Sequence, residues 1–181
     1  MESVVRHRPT VSGDLVFAHI QDVAALAVRL GVAVGVPLAL LGALKTGALL
    51  HDIGKIGVPT PLLDKPGPLA KSQFAIVRRH VILGDKLARA CNLPEPVRLI
   101  IRHHHERWDG AGYPDGLRGE KIPLLARIVA IADAYDAIVS DRPYRRAQSI
   151  KYATTELLSG AGTQFDPYLV NAFITQVLRR R

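Results

Sequence analysis

The chain has 181 residues, 48% of them hydrophobic, and a formal net charge of +8. That is room for one domain with a sizeable core, and too apolar a composition for a disordered chain. Its single cysteine, Cys91, excludes an intrachain disulfide and fits a reducing, cytoplasmic setting in which it serves as a small buried hydrophobe.

The positive balance favours anionic partners such as nucleotides, but a nucleic-acid role rests on charge alone and is not expected. Residues 1–13 read as a flexible leader without a secretory pattern. Helices are expected at about 14–30 and 38–51. Between Arg29 and Lys45 runs an uncharged stretch carrying Gly31, Gly35, Pro37 and Gly42. It is shorter than the roughly 20 apolar residues of a membrane span. It reads instead as a helix end, a glycine-rich turn and a second helix with Pro37 near its start.

Further helices are expected at about 71–90, 95–107, 122–139, 148–159 and 166–179. Loops rich in Pro and Gly separate them at 57–68, 92–96, 109–123 and 159–167. No strand-like alternation and no internal repeat is present. The expected fold is all-α, a compact bundle of about seven helices filling one domain over 14–181.

Helical periodicity points several polar residues inward. His19 shares a face with Leu15, Val23, Leu26 and Leu30. His51 shares one with Leu41, Leu44 and Ala48, and Asp52 is beside it. His80 lies next to the face of Phe74, Val77, Val81, Gly84 and Leu87. His104 follows Val97, Ile100 and Ile101, with His105 adjacent, and Asp133 lies among Ala126, Val129, Ala130 and Ala137. A single core histidine is ordinary. This many buried imidazoles and carboxylates are costly unless they pair or bind metal, and one cluster at the bundle centre satisfies them together. Imidazole and carboxylate donors suit Zn, Mn and Fe.

Two segments are tightly spelled: HDIGKIGVP at 51–59 and HHHERWDGAGYPDGL at 103–117. With LLDKPGPL, RRHVILGDKL, IPLLARIVAIADAYDAI and SDRPYR, in this order, they resemble the HD-GYP family, a branch of the HD-domain phosphohydrolases that hydrolyses cyclic di-GMP. The resemblance covers about residues 15–175. It implies an HD-type helical bundle and a metal set of His51, Asp52, His80, His104, His105 and Asp133, with Asp52 bridging two ions and His103 left over. His19 corresponds to a position one metal further out. Family members with a third ion carry a glutamate one turn before it, where this chain has Leu15; Asp14 points about 100° away on a helix. Two ions are therefore expected, and His19 is either a ligand or a core histidine. Val81 replaces the proline usual after the mid-chain histidine, which affects local backbone.

The implied cofactors are two divalent transition metals, Fe or Mn first and Zn as the alternative, about 3.5–4 Å apart. A hydroxide held between them would attack the phosphodiester and yield linear pGpG, GMP or both, with Asp52 and Lys55 as catalytic residues. Lys55 is either a phosphate-binding group or a solvated lysine. The resemblance assigns Arg142 and Arg145 to ligand phosphates and Tyr113 to a guanine, and it implies partners such as diguanylate cyclase domains at the GYP loop; a homodimer is compatible with it. Trp108 is expected beneath that loop, and Asp109, Asp136 and Asp141 as supporting or capping groups. The alternatives are a phosphohydrolase for another nucleotide and a non-catalytic sensing or protein-interaction module. The complete ligand set weighs against the latter.

Overall fold

The computed structural model describes residues 13–65, 67–141 and 146–178, with side chains from Phe17 onward. Residues 1–12 of the leader expected over 1–13, and Arg142 and Arg145, lie outside the described residues, and Gly13 already belongs to the first helix. No strand is present among the described residues, and the architecture is a helical bundle, as the periodicity predicts.

α1 (Gly13–Ala33) buries Val23, Ala27 and Leu30 on one face and packs against α2 (Leu38–Leu50) and α7 (Leu124–Val139). It closes with Val36 N–H donating to the Gly31 carbonyl at 2.9 Å, and Pro37 leads directly into α2. After α2 come a 3₁₀ turn (Ile53–Gly57) and the short α3 (Thr60–Leu63). α4 (Lys71–Arg78), α5 (His80–Ala90) and α6 (Glu95–His103) follow, and α6 rests on α2, α5 and α7. After α7, α8 (Ile150–Ser159) and α9 (Pro167–Ala172) complete the bundle, and α9 runs on into a π-helical segment (Phe173–Leu178). Ser149 and Asp166 cap α8 and α9 by accepting backbone N–H groups.

The main core draws on α1, α2, α7, α8 and α9, with Leu30, Leu44, Ile128, Leu157 and Phe173 fully enclosed. Side chains of this size contribute about 1.5–3 kcal/mol each when buried. A smaller cluster of Ala88, Val97 and Ile101 joins α5 to α6. None of the described helices is long and apolar enough to cross a membrane.

The structure departs from the sequence expectation in several places. The helix expected over 71–90 breaks at Arg79, whose N–H turns back to the Ile76 carbonyl. Phe74, expected on the inward face, is therefore 44% exposed, while Val81 and Gly84 beyond the break are buried. α6 stops at His103 rather than 107, where Glu106 N–H bonds back to the His103 carbonyl. Cys91, expected in the core, is exposed at the end of α5, where a helix terminus faces out instead of a helix face.

Candidate metal centre

His51, His80 and His104 share one local device. Each stands where a helix ends: His51 after α2, His80 after α4 and His104 after α6. The last carbonyls of a helix lack intrahelical partners. Each ring fills that vacancy by donating Nδ1–H to the carbonyl three residues back: Ala48 at 2.7 Å, Val77 at 2.7 Å and Ile101 at 3.0 Å. Nδ1 is thereby protonated, and Nε2 is left as a bare acceptor.

These three Nε2 atoms and Oδ1 of Asp52 are buried and have no hydrogen-bond partner among the described residues. Buried polar atoms are almost always paired, so an orphaned set pointing at one place marks a ligand site. The atoms crowd around Asp52: His80 Nε2 is 3.3 Å and His104 Nε2 3.8 Å from Oδ1, and His51 Nε2 is 3.5 Å from Oδ2. Two groups of ligand atoms result, Asp52 with His80, His104 and His105, and Asp52 with His19 and His51; within each, the atoms lie within 4.8 Å of one another. Asp52 belongs to both. Asp133 joins the second side, with Oδ1 3.4 Å from His19 Nε2 and 3.9 Å from His51 Nε2.

Asp52 reaches this position because α2 gives way to the 3₁₀ turn at that residue. Gly54, in that turn, lies so close to α5 that a Cβ there would stand 1.9 Å from the His80 carbonyl oxygen. Only glycine permits this approach, which brings the segments carrying Asp52 and His80 together. Lys55, one turn beyond Asp52, donates to its Oδ2. His19 is anchored by Asp136, with Nδ1 and Oδ2 2.5 Å apart, and Asp136 in turn accepts from Ser140 Oγ. Asp136 thus orients the His19 ring.

The loop after α6 forms the next wall. Glu106, 4% exposed, accepts N–H groups from Asp115 at 2.7 Å and Leu117 at 3.1 Å. A Cβ on Gly112 would lie 2.5 Å from Glu106 Cα, so glycine is again required. His103 does not enter the cluster: its Nε2 meets Asp115 at 2.9 Å. Tyr113, preceding a cis peptide bond to Pro114, packs its ring 5.0 Å from that of His105. A cleft of about 350 Å³ opens here, lined by His104, His105, Asp133, Tyr113, Phe74 and Arg78 among others. Trp108 lies at the base of the loop with the Arg127 guanidinium over its ring.

The HD domain family matches residues 9–169 of the chain. The chain belongs to the HD-domain family. Its ordered motifs place it in the HD-GYP branch. A Pseudomonas aeruginosa protein named as a cyclic di-GMP phosphodiesterase is 39% identical over 97% of this chain and 44% of its own length. A Vibrio cholerae protein named as a 3'3'-cGAMP-specific phosphodiesterase is 36% identical over 87% of this chain and 30% of its own. The chain thus spans less than half the length of these relatives. An HDG"Y"P protein from Bdellovibrio bacteriovorus has the same fold, with a TM-score of 0.73 at 24% identity over 94% of this chain and 55% of that one.

The electrostatics of this HD domain suit a cation. Burial opposes ionisation of Asp52, yet the nearby His51 ring and the Lys55 ammonium hold its carboxyl well below the usual range. Asp133 is buried too, and its contact with His19 and the nearby His51 ring keep it ionised. Burial pushes the pKa of His104 down, and burial reinforced by neighbouring His104 pushes that of His105 well down. Ionised carboxylates and neutral imidazoles are the forms that ligate metals. The C-termini of α2 and α6 end at the cluster, and their negative dipole ends favour positive charge. The cluster is therefore able to bind metal.

Sequence reasoning missed Glu106 as the support of the loop, and Arg78 and Phe74 as cleft residues. The spacing of the glutamate directly after the histidine run is visible in the sequence. The break at Arg79, which turns Arg78 and Phe74 toward Tyr113, has no such signal.

Proposed function

We propose that the chain is a metal-dependent phosphodiesterase for cyclic di-GMP. The observation that carries this reading is the set of orphaned acceptors around Asp52, shared by two groups of ligand atoms. Asp52 would bridge two ions. His19, His51 and Asp133 would hold one ion, and His80, His104 and His105 the other. Two bound divalent ions supply Lewis-acid charge and make water acidic enough to lose a proton near neutral pH. The N and O donor set without thiolate favours Fe or Mn, with Zn as the alternative.

The chain's own residues would do the rest. The imidazoles, neutral and fixed by their Nδ1 bonds, keep their donors in place without reorganisation. Lys55 would turn its ammonium from Asp52 to a phosphate oxygen and stabilise charge as the P–O bond breaks. Arg142 and Arg145 would bind ligand phosphates, and Tyr113 with the glycine-rich loop would shape the wall facing a guanine. No serine or cysteine approaches the cluster among the residues lining the cleft, which fits direct attack by water over a covalent intermediate.

A second reading, action on a mixed guanine–adenine cyclic dinucleotide, is favoured by the relative of that specificity. The test is turnover of both cyclic dinucleotides by protein purified anaerobically and loaded with Fe or Mn. Linear product from cyclic di-GMP in the greater yield is expected. Metal-loaded protein that turns over neither compound would refute the reading. Asp52→Ala should remove metal and activity together, and retained turnover would refute the bridging role.

A further inference from the structure

Two arginines line the cleft beside the cluster, and their surroundings differ. Arg107 is neutralised: its Nε and Nη2 donate to the two oxygens of Asp109 at 3.1 and 2.7 Å. Arg78 has no carboxylate within ion-pair distance among the described residues. Its partners are aromatic faces. The guanidinium carbon lies 4.5 Å from the Tyr113 ring centroid and 5.8 Å from that of Phe74. The Tyr113 ring lies between this cation and His105 in the chain of contacts, so Arg78 sits one ring's width from the cluster.

A guanidinium stacked on an aromatic ring is held by attraction to the ring face, while its N–H edge remains open for a bidentate anion contact. A cyclic dinucleotide carries two phosphodiesters, each with one negative charge. The cluster and Lys55 take the one being cleaved; Arg142 and Arg145, assigned to ligand phosphates above, lie outside the described residues, so among the described cleft residues the other phosphate has Arg78 and Arg107 to choose from. The other must be desolvated against the cleft wall, which is costly without a cation. Arg78 is the cleft's arginine with no carboxylate of its own to satisfy.

We propose that Arg78 binds the second, non-reacting phosphate of the cyclic dinucleotide. The same N–H fork would also fit the O6/N7 edge of a guanine, which is a distinct prediction. The proposal rests on the phosphodiesterase reading above.

The experiment compares wild type, Arg78→Gln and Arg78→Lys, all metal-loaded, on cyclic di-GMP, on the all-adenine cyclic dinucleotide as competitor, and on bis(p-nitrophenyl) phosphate. The last compound has a single phosphodiester and no second phosphate to recognise. Arg78→Gln should raise KM for cyclic di-GMP about tenfold or more. It should weaken the adenine competitor to a similar degree, and shift the ratio of kcat/KM values against cyclic di-GMP relative to the single phosphodiester. Arg78→Lys, which keeps the charge, should recover part of the loss. An unchanged KM for cyclic di-GMP overturns the proposal. So does a parallel fall on both substrates with lost metal, which marks a structural strut, and so does a loss confined to the guanine ligand, which assigns Arg78 to the base. Absence of wild-type turnover on cyclic di-GMP overturns the phosphodiesterase reading and the proposal with it, whereas wild-type turnover with an indifferent variant overturns the proposal alone.

Discussion

His103 and His104 are neighbours at the end of α6, and both anchor Nδ1 on carbonyls of that helix. They differ in what Nε2 meets. His103 reaches Asp115, which also takes a bidentate pair from Arg102 at 2.8 Å in each arm. His104 points into the cluster, where its Nε2 is orphaned. The same contrast separates the two regions they belong to. The loop is held by carboxylates that are saturated with donors, Glu106 and Asp115, and needs nothing further. The cluster is held by helix ends that fix its donors and leave them unsatisfied. Saturated hydrogen bonding marks a structural region, and unsatisfied burial marks a site that awaits a ligand.

Variants can break this contrast. The largest effect is expected from Gly54→Ala, because the added carbon meets backbone rather than a flexible side chain. Overpacking typically costs about 1–3 kcal/mol, which lowers Tm by about 2–4 °C per kcal/mol for a chain this size. Displacement of His80 should reduce bound metal as well. Thermal melts with metal analysis on the same sample check both.

Glu106→Ala comes next. It strips the acceptor from two backbone N–H groups, which turn to water as the loop loosens, so the net loss is about 0.5–1.5 kcal/mol for each bond. The loop should loosen and KM should rise, while metal stoichiometry stays at the wild-type value. Loss of metal in this variant would erase the distinction between loop and cluster. Asp115→Ala should do less. Its pair with Arg102 is more than a third exposed on the Asp115 side, and such pairs contribute at most about 1 kcal/mol.

The smallest effect concerns acid. Hydrogen bonds from Arg107 and from the Ala111 N–H hold the Asp109 carboxyl down at about 2. A carboxylate depressed in the folded state adds stability above its ordinary pKa and loses it as pH falls through the folded value. Protection of the Ala111 amide against hydrogen exchange should therefore hold above about pH 4 and fall toward pH 2. Asp109→Asn should remove that pH dependence.

The helical bundle was legible because buried apolar faces repeat with the helical period, as along Val23, Ala27 and Leu30. The histidines and aspartates at its centre were legible because polar residues on such faces demand partners. The ends of helices were harder to read. Periodicity runs through Arg79 without a sign that His80 will claim the Val77 carbonyl, so the break and the outward turn of Phe74 were missed. The same blindness at a helix end put Cys91 in the core. Glu106 looked like one charge among several, since nothing local in the sequence shows that two N–H groups from nine and eleven residues later will close on it.

The central claim is that unsatisfied Nε2 atoms, not histidines as such, define the metal centre. Metal per monomer measured for wild type, His104→Ala and His103→Ala tests it directly. Two ions in wild type and in His103→Ala, with at least one lost in His104→Ala, are the expected values. Equal metal in the two variants would contradict the claim.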